Sequence, residues 1–183
     1  SRIDPRSIGF IECHGGGTEV GDATEIAAIR KMFDLDTRKV PLAIGTVKSS
    51  VGHTQGAAGA VSIVKTALAL ERDELPPTRG FERAHPAHQF GDALAVNATC
   101  VPFPTPQRAD ETRGVRVASV SSMGLGGINY HVVMEADSSG GSMHVEQGRV
   151  RNVDVPLNVI RISAEDRAGL VDERDRKRDQ GVL

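Results

Sequence analysis

The chain has 183 residues, of which 39% are hydrophobic and 25% are charged, and its formal net charge at pH 7 is -2. This length and composition are typical of a globular protein with a packed core, and they exclude collagenous, disordered and membrane-spanning chains. A net charge so close to zero gives no electrostatic reason to expect nucleic acid or a membrane surface as a partner. The sequence has no apolar run of about 20 residues and no signal-peptide core, so we expect a cytoplasmic protein.

The first third of the chain predicts a strand, a glycine loop and a helix. Residues 8–13 (IGFIEC) form a short apolar run, typical of a buried strand, that leads into the loop 14–18. Asp22 and Glu25 have the spacing of a capping box, which predicts a helix start at that point. The apolar residues that follow at helical spacing are Ile26, Ile29, Met32 and Phe33.

The middle of the chain repeats this pattern. Residues 42–47 (LAIGTV) predict a second buried strand, followed by a polar loop at 48–53 that ends in a histidine. Residues 55–70 are apolar nearly all round and begin with small residues, which is typical of a central helix packed closely on its neighbours. Two prolines end this helix, and residues 78–93 are interpreted as an irregular surface excursion.

The last third of the chain predicts a pair of strands, after which the composition changes. Residues 115–121 (VRVASVS) and 130–135 (YHVVME) predict two adjacent strands on either side of a glycine-rich loop. After Ala136 the sequence turns to Asp-Ser-Ser-Gly-Gly-Ser, which is typical of a flexible linker. We therefore predict one α/β domain over residues 1–136, a linker over 137–154, and an incomplete further domain over 155–183.

Four polar residues in these loops are candidates for chemistry. His14 and His53 each follow a buried strand, and their loops also carry Thr18 and Lys48. Loops held by a rigid sheet are where catalytic groups tend to lie. One such histidine could equally be a structural residue, but the repetition of the arrangement favours a catalytic site.

Three sequence blocks resemble those of a known family. They read ECHGGGTEVGDATE, GTVKSSVGHTQGAAG and SSMGLGGINYHVVMEA, and they occur in this order. The C-terminal signatures of β-ketoacyl synthases (ketosynthases) usually read close to EAHGTGTxxGDPxE, GSxKSNxGHxxxAAG and SSFGFGGTNAHxxxE. The resemblance covers residues 1–136 and implies the C-terminal half of a ketosynthase of a type I polyketide synthase. The wording of these blocks is also similar to iterative synthases of the polyunsaturated-lipid and enediyne kind.

The resemblance implies a thiolase-like α/β fold and specific residue roles. His14 and His53 match the histidine pair that stabilises the enolate formed when a malonyl thioester loses CO₂. Lys48 matches the lysine that organises charge around those histidines. Thr18 matches one of two threonines that bind phosphopantetheine on a carrier-protein partner, and Gly16 replaces the other. No cofactor bound directly to the chain and no metal are expected.

The third block departs from the usual family pattern. Gly124 and Gly126 match glycines of the loop beside the active site. Met123 and Leu125 stand where two phenylalanines usually gate the acyl channel. The resemblance therefore implies that the size of the acyl chain accepted, or the gating of the acyl channel, differs from the usual pattern.

The family's nucleophilic cysteine is not matched. It lies in a DTACSS-like block that this sequence does not contain, and we interpret Cys13 and Cys100 as packed, unreactive residues. We therefore expect activity to need an N-terminal half, and this chain alone to be inactive. The resemblance also implies an acyl carrier protein as partner and a homodimer of the complete domain. The alternative is a non-catalytic ketosynthase remnant that serves as a scaffold or docking surface.

Other interpretations of the same residues are weaker. The HGGG string at 14–17 also occurs in the oxyanion loop of lipases and esterases, but no G-x-S-x-G motif accompanies it. Residues 124–129 nearly form a dinucleotide-binding G-x-G-x-x-G motif, but its last position is Asn129. A metal site from Cys13, His14 and His53 is also weak. Cys13 and His14 are adjacent, and adjacent side chains of a strand point to opposite faces, so they could not both bind one metal ion.

Overall fold

The computed structural model describes residues 3–33, 35, 38, 40–88, 90–105 and 114–136. All of them belong to one compact unit, Ser1–Gly141. The linker predicted at 137–154 and the further domain predicted at 155–183 lie outside the described residues.

The described strands and helices alternate along most of the chain. The strands are β1 (Phe10–Glu12), β2 (Leu42–Gly45), β3 (Glu74–Leu75), β4 (Leu94–Ala95), β5 (Val101–Pro102), β6 (Val117–Met123) and β7 (Asn129–Glu135). The helices are α1 (Glu19–Met32), α2 (Lys48–Val51) and α3 (Ala58–Arg72). Short 3₁₀ turns lie at Pro5–Ser7, Gln55–Ala57, Pro86–His88 and Gly91–Ala93.

A mixed five-stranded sheet organises these elements. Its strand order is β4-β2-β1-β6-β7, in which the first four strands are parallel and β7 returns antiparallel to β6. β3 and β5 form a separate antiparallel pair. The strands predicted at 8–13 and 42–47 and the adjacent pair predicted at the end of the domain are confirmed, as is the α/β class.

The central strand β1 is covered on both faces, as is usual in parallel sheets. Phe10 and Ile11 are fully buried, and because successive strand residues point to opposite faces, they enter different cores. Ile11 packs in one apolar cluster with Ile26 and Ile29 of α1. Phe10 packs in the other, which includes Leu70 of α3. The two helices therefore lie on opposite sides of the sheet.

The start of α1 differs from the prediction. Thr18 is the N-cap, and its Oγ1 accepts a 3.2 Å hydrogen bond from the backbone N–H of Gly21. Asp22 lies inside the first turn, and Glu25 turns back towards the loop before the helix. The capping-box prediction is wrong because both polar side chains of that pattern bind the glycine loop instead. Of the apolar residues predicted to face the core, Met32 is exposed.

Helix α3 is buried on one side only. The polar loop predicted at 48–53 contains the single helical turn α2, and the long helix begins at Ala58. Its inward residues are Ala58, Ser62, Thr66, Ala69 and Leu70. The opposite face is exposed, at the spacing i, i+3, i+4, i+7, i+8, and we call it the α3 stripe: Ala60, Ile63, Val64, Ala67 and Leu68. Within the part of the chain that the structure describes, no helix is long and apolar enough to cross a membrane.

Candidate active site

Three parallel strands deliver their loops to the same edge of the sheet. Glu12, the last residue of β1, is paired with Gly45 of β2 and with Val120 of β6. His14 lies just after β1 at this edge, and Met123 is the last residue of β6. The residues predicted to act together are therefore brought together by strand register, although they are far apart in the sequence.

The two predicted histidines are neighbours in space. The centroids of the His14 and His53 rings lie 5.3 Å apart, and the ring planes are inclined by 74°. His14 is partly buried, whereas His53 is exposed.

Backbone donors define the tautomer of both rings. The N–H of Met123 donates a 3.3 Å hydrogen bond to Nδ1 of His14, and the N–H of Gln55 donates a 3.0 Å bond to Nδ1 of His53. A ring nitrogen that accepts a hydrogen bond carries no proton, so each neutral imidazole holds its proton on Nε2. Each histidine is therefore set to donate from Nε2.

His14 is held neutral by its surroundings. Partial burial lowers its pKa, and the positive charges of Lys48 and of a protonated His53 lower it further. Asp22 acts in the opposite direction but is the smallest of these influences. At neutral pH His14 is therefore a hydrogen-bond donor without a charge of its own.

Lys48 begins α2 at the same edge. Partial burial lowers its pKa, while the carboxylates of Glu12 and Glu25 act to raise it. Its backbone N–H donates to Oγ1 of Thr46 at 3.3 Å, which fixes the turn from which the side chain extends. Lys48 thus interacts electrostatically with the carboxylates of Glu12 and Glu25 and with the ring of His14.

Glu25 is a residue of the candidate site that the sequence analysis did not identify. Its carboxylate accepts the backbone N–H of His14 at 2.7 Å and that of Gly15 at 2.9 Å. Burial raises the pKa of Glu25, and these two hydrogen bonds oppose that shift. The carboxylate therefore fixes the backbone from which His14 extends. The available signal was an acidic residue directly before the buried Ile26 of an amphipathic helix.

Glu12 is a second site residue missed at the sequence level. Its carboxylate is fully buried and binds Nζ of Lys65 at 2.6 Å and the N–H of Val47 at 2.6 Å. Oγ of Ser62 lies at 3.4 Å from the same group. Burial raises the pKa of Glu12, and Lys65 is the strongest influence against that shift. The Glu12 carboxylate therefore links β1 to α3 through the ion pair with Lys65, and to the residue before Lys48 through the hydrogen bond from Val47.

The other predicted site residues lie in the loops after β1 and β6. Thr18 is exposed four residues after His14, with its hydroxyl used in capping α1. Gly124 donates its N–H to the carbonyl of Ile128 at 2.8 Å, which closes the loop after β6. Leu125 at its tip is 98% exposed, and Gly126 has a positive φ of 88°. Pantetheine binding and channel gating by these residues stay predictions.

The two cysteines differ from each other. Cys13 is buried, as predicted, and burial raises the pKa of its thiol well above the usual value, which makes a thiolate unfavourable. Cys100 is exposed, so the prediction that it is a packed residue is wrong. It lies just before β5, which pairs only with β3 outside the five-stranded sheet, and neither apolar cluster includes it. Among the described residues, no group of three His, Cys, Asp or Glu side chains could hold a metal ion.

Comparisons with known proteins identify relatives of this chain. The family model described as "Beta-ketoacyl synthase, C-terminal domain" matches residues 1–82. The highly reducing polyketide synthase anuA of Penicillium roqueforti is 41% identical over 133 residues, which are 73% of this chain and 6% of that protein. The hybrid PKS-NRPS synthetase pynA of Aspergillus niger is 38% identical over 135 residues, or 73% of this chain and 3% of that protein.

Solved ketosynthase structures share the fold. Ketosynthase twelve of the bacillaene polyketide synthase from Bacillus amyloliquefaciens superposes with a TM-score of 0.66 at 32% identity, over 74% of this chain and 23% of that one. The oxazolomycin ketosynthase domain OzmH KS7 of Streptomyces albus gives a TM-score of 0.68 at 31% identity, over 74% and 24%. The chain thus spans about a quarter of these structures and a small part of the curated relatives. It belongs to the β-ketoacyl synthase family, as a C-terminal part of a ketosynthase domain of the polyketide synthase type, with a thiolase-like fold.

Proposed function

We propose that this chain supplies the enolate-stabilising half of a ketosynthase active site. The reaction is the decarboxylative Claisen condensation of an acyl thioester with a malonyl-type thioester on a carrier protein. The observation that carries this proposal is the pair His14 and His53, whose rings are 5.3 Å apart and whose Nδ1 atoms both accept backbone N–H groups. Two neighbouring imidazoles that each carry a proton on Nε2 suit a single oxygen that gains negative charge.

The bond changes define what these donors do. The acyl group is held as a thioester on a cysteine of the N-terminal part. The malonyl group loses CO₂, and the electron pair of the broken C–C bond passes to the α-carbon and the thioester oxygen as an enolate. The α-carbon then attacks the acyl carbonyl carbon, a new C–C bond forms, and the C–S bond to cysteine breaks to release the thiolate. His14 and His53 donate hydrogen bonds to the enolate oxygen throughout.

The electrostatics of the site favour this role over proton transfer. A lowered pKa keeps His14 neutral, so its Nε2–H polarises the thioester oxygen without giving up a proton. Preorganised donors of this kind commonly contribute a factor of about 10²–10³ to the rate. Lys48 carries a positive charge close enough to lower the pKa of His14, and we assign it the task of keeping that ring neutral and attracting the malonyl carboxylate.

The remaining catalytic group would come from an N-terminal part, as a separate chain or a preceding segment. Cys13 is unsuited as nucleophile because burial raises its thiol pKa. The α3 stripe supports a covering partner, since Val64 and Leu68 are 59% and 43% exposed beside other apolar residues on one helix face. The solved ketosynthases are about four times as long as the region shared with this chain. We assign the stripe to contact with that N-terminal part.

Substrate delivery involves a carrier protein. Polyketide synthase relatives support phosphopantetheine on a carrier domain as the form in which both thioesters arrive. We assign Thr18 to contact with the phosphopantetheine arm and the loop of Met123, Gly124, Leu125 and Gly126 to the acyl channel. A dimer of the complete domain is part of the same proposal.

The test uses the complete ketosynthase, with the N-terminal part present. Condensation of an acyl thioester with malonyl-loaded carrier protein is followed by mass spectrometry of the product. We expect His14→Ala and His53→Ala each to lower its rate by about 10²–10³, while acyl transfer to the cysteine of the N-terminal part persists. His85→Ala, which removes an exposed histidine elsewhere, is the matched control.

Two results would contradict the proposal. One is wild-type condensation in either histidine variant. The other is a folded complete domain that binds carrier protein without condensing, which would identify a scaffold. The chain alone is expected to gain no acyl group, so an adduct on Cys13 or Cys100 in an intact-mass spectrum would contradict the need for an N-terminal nucleophile.

A further inference from the structure

The carboxylate of Glu12 divides its two oxygens between two helices. Oε1 accepts the backbone N–H of Val47 at 2.6 Å, directly before α2, and Oε2 lies 2.6 Å from Nζ of Lys65 on α3. Oγ of Ser62, one turn before Lys65, lies 3.4 Å from Oε1. A change at Lys65 on α3 is therefore transmitted to the start of α2 through one rigid, buried group.

Stability alone gives little reason for two charges at this place. The side chains of Glu12 and Lys65 are 0% and 10% exposed, so both charged groups lose most of their hydration. The attraction between two buried charges commonly does no more than offset this loss, and an apolar pair of similar volume is often as stable. Nζ of Lys65 also lies 5.1 Å from the ring centroid of Phe10, which restricts its position further. The geometry is that of a charge held in a fixed place.

Val47 connects the Glu12 carboxylate to the candidate site. Its N–H binds Glu12, while its carbonyl accepts the N–H groups of Ser50 at 2.9 Å and of Val51 at 3.2 Å, which belong to the single turn of α2. Lys48 is the first residue of that turn. The carboxylate therefore holds the peptide group from which the backbone of Lys48 continues.

Charge connects the same residues. Burial lowers the pKa of Lys48, and the carboxylate of Glu12 is the strongest influence in the opposite direction. Burial raises the pKa of Glu12, and Lys65 is the strongest influence that keeps this carboxylate ionised. After burial, Lys48 is the strongest influence that lowers the pKa of His14. The charge of Lys65 thus acts on His14 by way of Glu12 and Lys48.

We propose that Lys65 and Glu12 are positioning residues for condensation, which hold the Lys48 ammonium in its working position and act through Lys48 rather than on the substrate. This inference rests on the proposed function, in which Lys48 keeps His14 neutral and attracts the malonyl carboxylate. Lys65 keeps Glu12 charged, and Glu12 holds Lys48 by its charge and by the N–H of Val47. Removal of both charges should slow condensation even where the fold is intact.

The experiment removes the pair in the complete ketosynthase. In Glu12→Gln/Lys65→Met no buried charge is left unpaired, and a side-chain oxygen can still accept the N–H of Val47. Because a shift of about 1 Å in a reacting group can cost about 10²-fold in rate, we expect kcat of condensation with malonyl-loaded carrier protein to fall by about 10-fold to 10²-fold. The rate is expressed per acylated enzyme, which excludes unfolded molecules. Thr66→Val, which removes a buried hydroxyl of α3 that binds the carbonyl of Ser62, is the matched control and should keep the wild-type kcat.

A second comparison tests whether the pair acts through Lys48. The same double substitution is made in a Lys48→Met background, and its effect on the residual kcat is compared with its effect in the wild type. In that background the pair has no ammonium left to position, so we expect a further loss of less than about 2-fold, which is the usual limit of additivity. A merely structural role would give the same loss in both backgrounds.

The outcomes separate this inference from the proposed function. Wild-type kcat in Glu12→Gln/Lys65→Met, or equal losses in the two backgrounds, would overturn the inference while the proposed function stands. A fall of the same size in Thr66→Val would assign the effect to general damage of α3 and overturn it as well. Wild-type condensation by His14→Ala in the same assay would overturn the proposed function and the inference together.

Discussion

The backbone N–H of Met123 donates a hydrogen bond to Nδ1 of His14 across 109 positions of the sequence. Met123 is the last residue of β6, paired with Asn129 across the turn to β7. The hairpin at one end of the domain therefore determines which nitrogen carries the proton in a histidine near the other end. Gln55 does the same for His53 from only two residues away.

The pKa of His14 should respond to Lys48. Because the Lys48 ammonium lowers that pKa, Lys48→Met is expected to raise it towards the usual value of 6.5, with burial keeping it below that value. Lys31→Met, which removes an exposed charge on α1, is the control and should have no effect. NMR titration of the histidine ring protons provides the measurement. An unchanged His14 titration in Lys48→Met would refute the electrostatic link.

The free energy of unfolding should depend on pH through His14. Its folded-state pKa is lowered, so the unfolded chain binds the proton first, and stability falls as pH decreases from about 6.5 towards that lowered pKa. Burial raises the pKa values of Glu12 and Glu25, which acts in the opposite direction. Urea unfolding of the wild type and of His14→Gln at several pH values isolates the histidine, and the variant should lose less stability in this window. If the free energy of unfolding of the two proteins changed equally with pH, His14 would not be the source of the pH dependence.

Glu25→Gln should destabilise the loop that carries His14. The carboxylate accepts two N–H groups, and a glutamine offers one oxygen and one donor, so one N–H loses its partner. We expect a cost of about 1–3 kcal/mol in the free energy of unfolding, measured with urea. Glu19→Gln in the exposed first turn of α1 is the matched control, with an expected cost of a few tenths of a kcal/mol. Equal costs in the two variants would contradict the role of Glu25.

The buried pair of Glu12 and Lys65 should show non-additive energetics. Lys65→Met leaves a buried carboxylate without its cation, which typically costs about 3–5 kcal/mol. The double variant Glu12→Gln/Lys65→Met removes both charges while a side-chain oxygen still accepts the N–H of Val47. We expect it to be more stable than Lys65→Met alone. A double variant whose cost equals the sum of the single costs would show that the two charges are not coupled.

The α3 stripe should control association with the N-terminal part. Val64→Lys places a charge in the centre of the apolar face, and we expect it to abolish co-purification of the two parts while the circular dichroism of this chain stays unchanged. Met32→Lys, which places the same charge at an exposed apolar residue of α1 on the other side of the sheet, is the control. Normal association of the Val64 variant would place the contact elsewhere.

Much of the fold follows from local patterns. The apolar runs at 8–13 and 42–47 became parallel strands because such strands are buried on both faces, and the glycine loop at 14–18 followed the first of them as expected. The capping residues of α1 could not be predicted in the same way. Thr18, Asp22 and Glu25 all suit a helix start, and only the position of the glycine loop decides which of them caps the helix and which bind the loop.

The sequence by itself determined the family, through three ordered blocks, and named His14, His53 and Lys48 as candidates. It also excluded a recognisable nucleophile motif from residues 1–183. Only the tertiary structure decided that the histidine rings are neighbours, that both have Nδ1 occupied, and that Glu12 binds both Lys65 and Val47. The physical reason is that these relationships depend on strand register and on backbone groups of distant loops, which spacing along one chain does not encode.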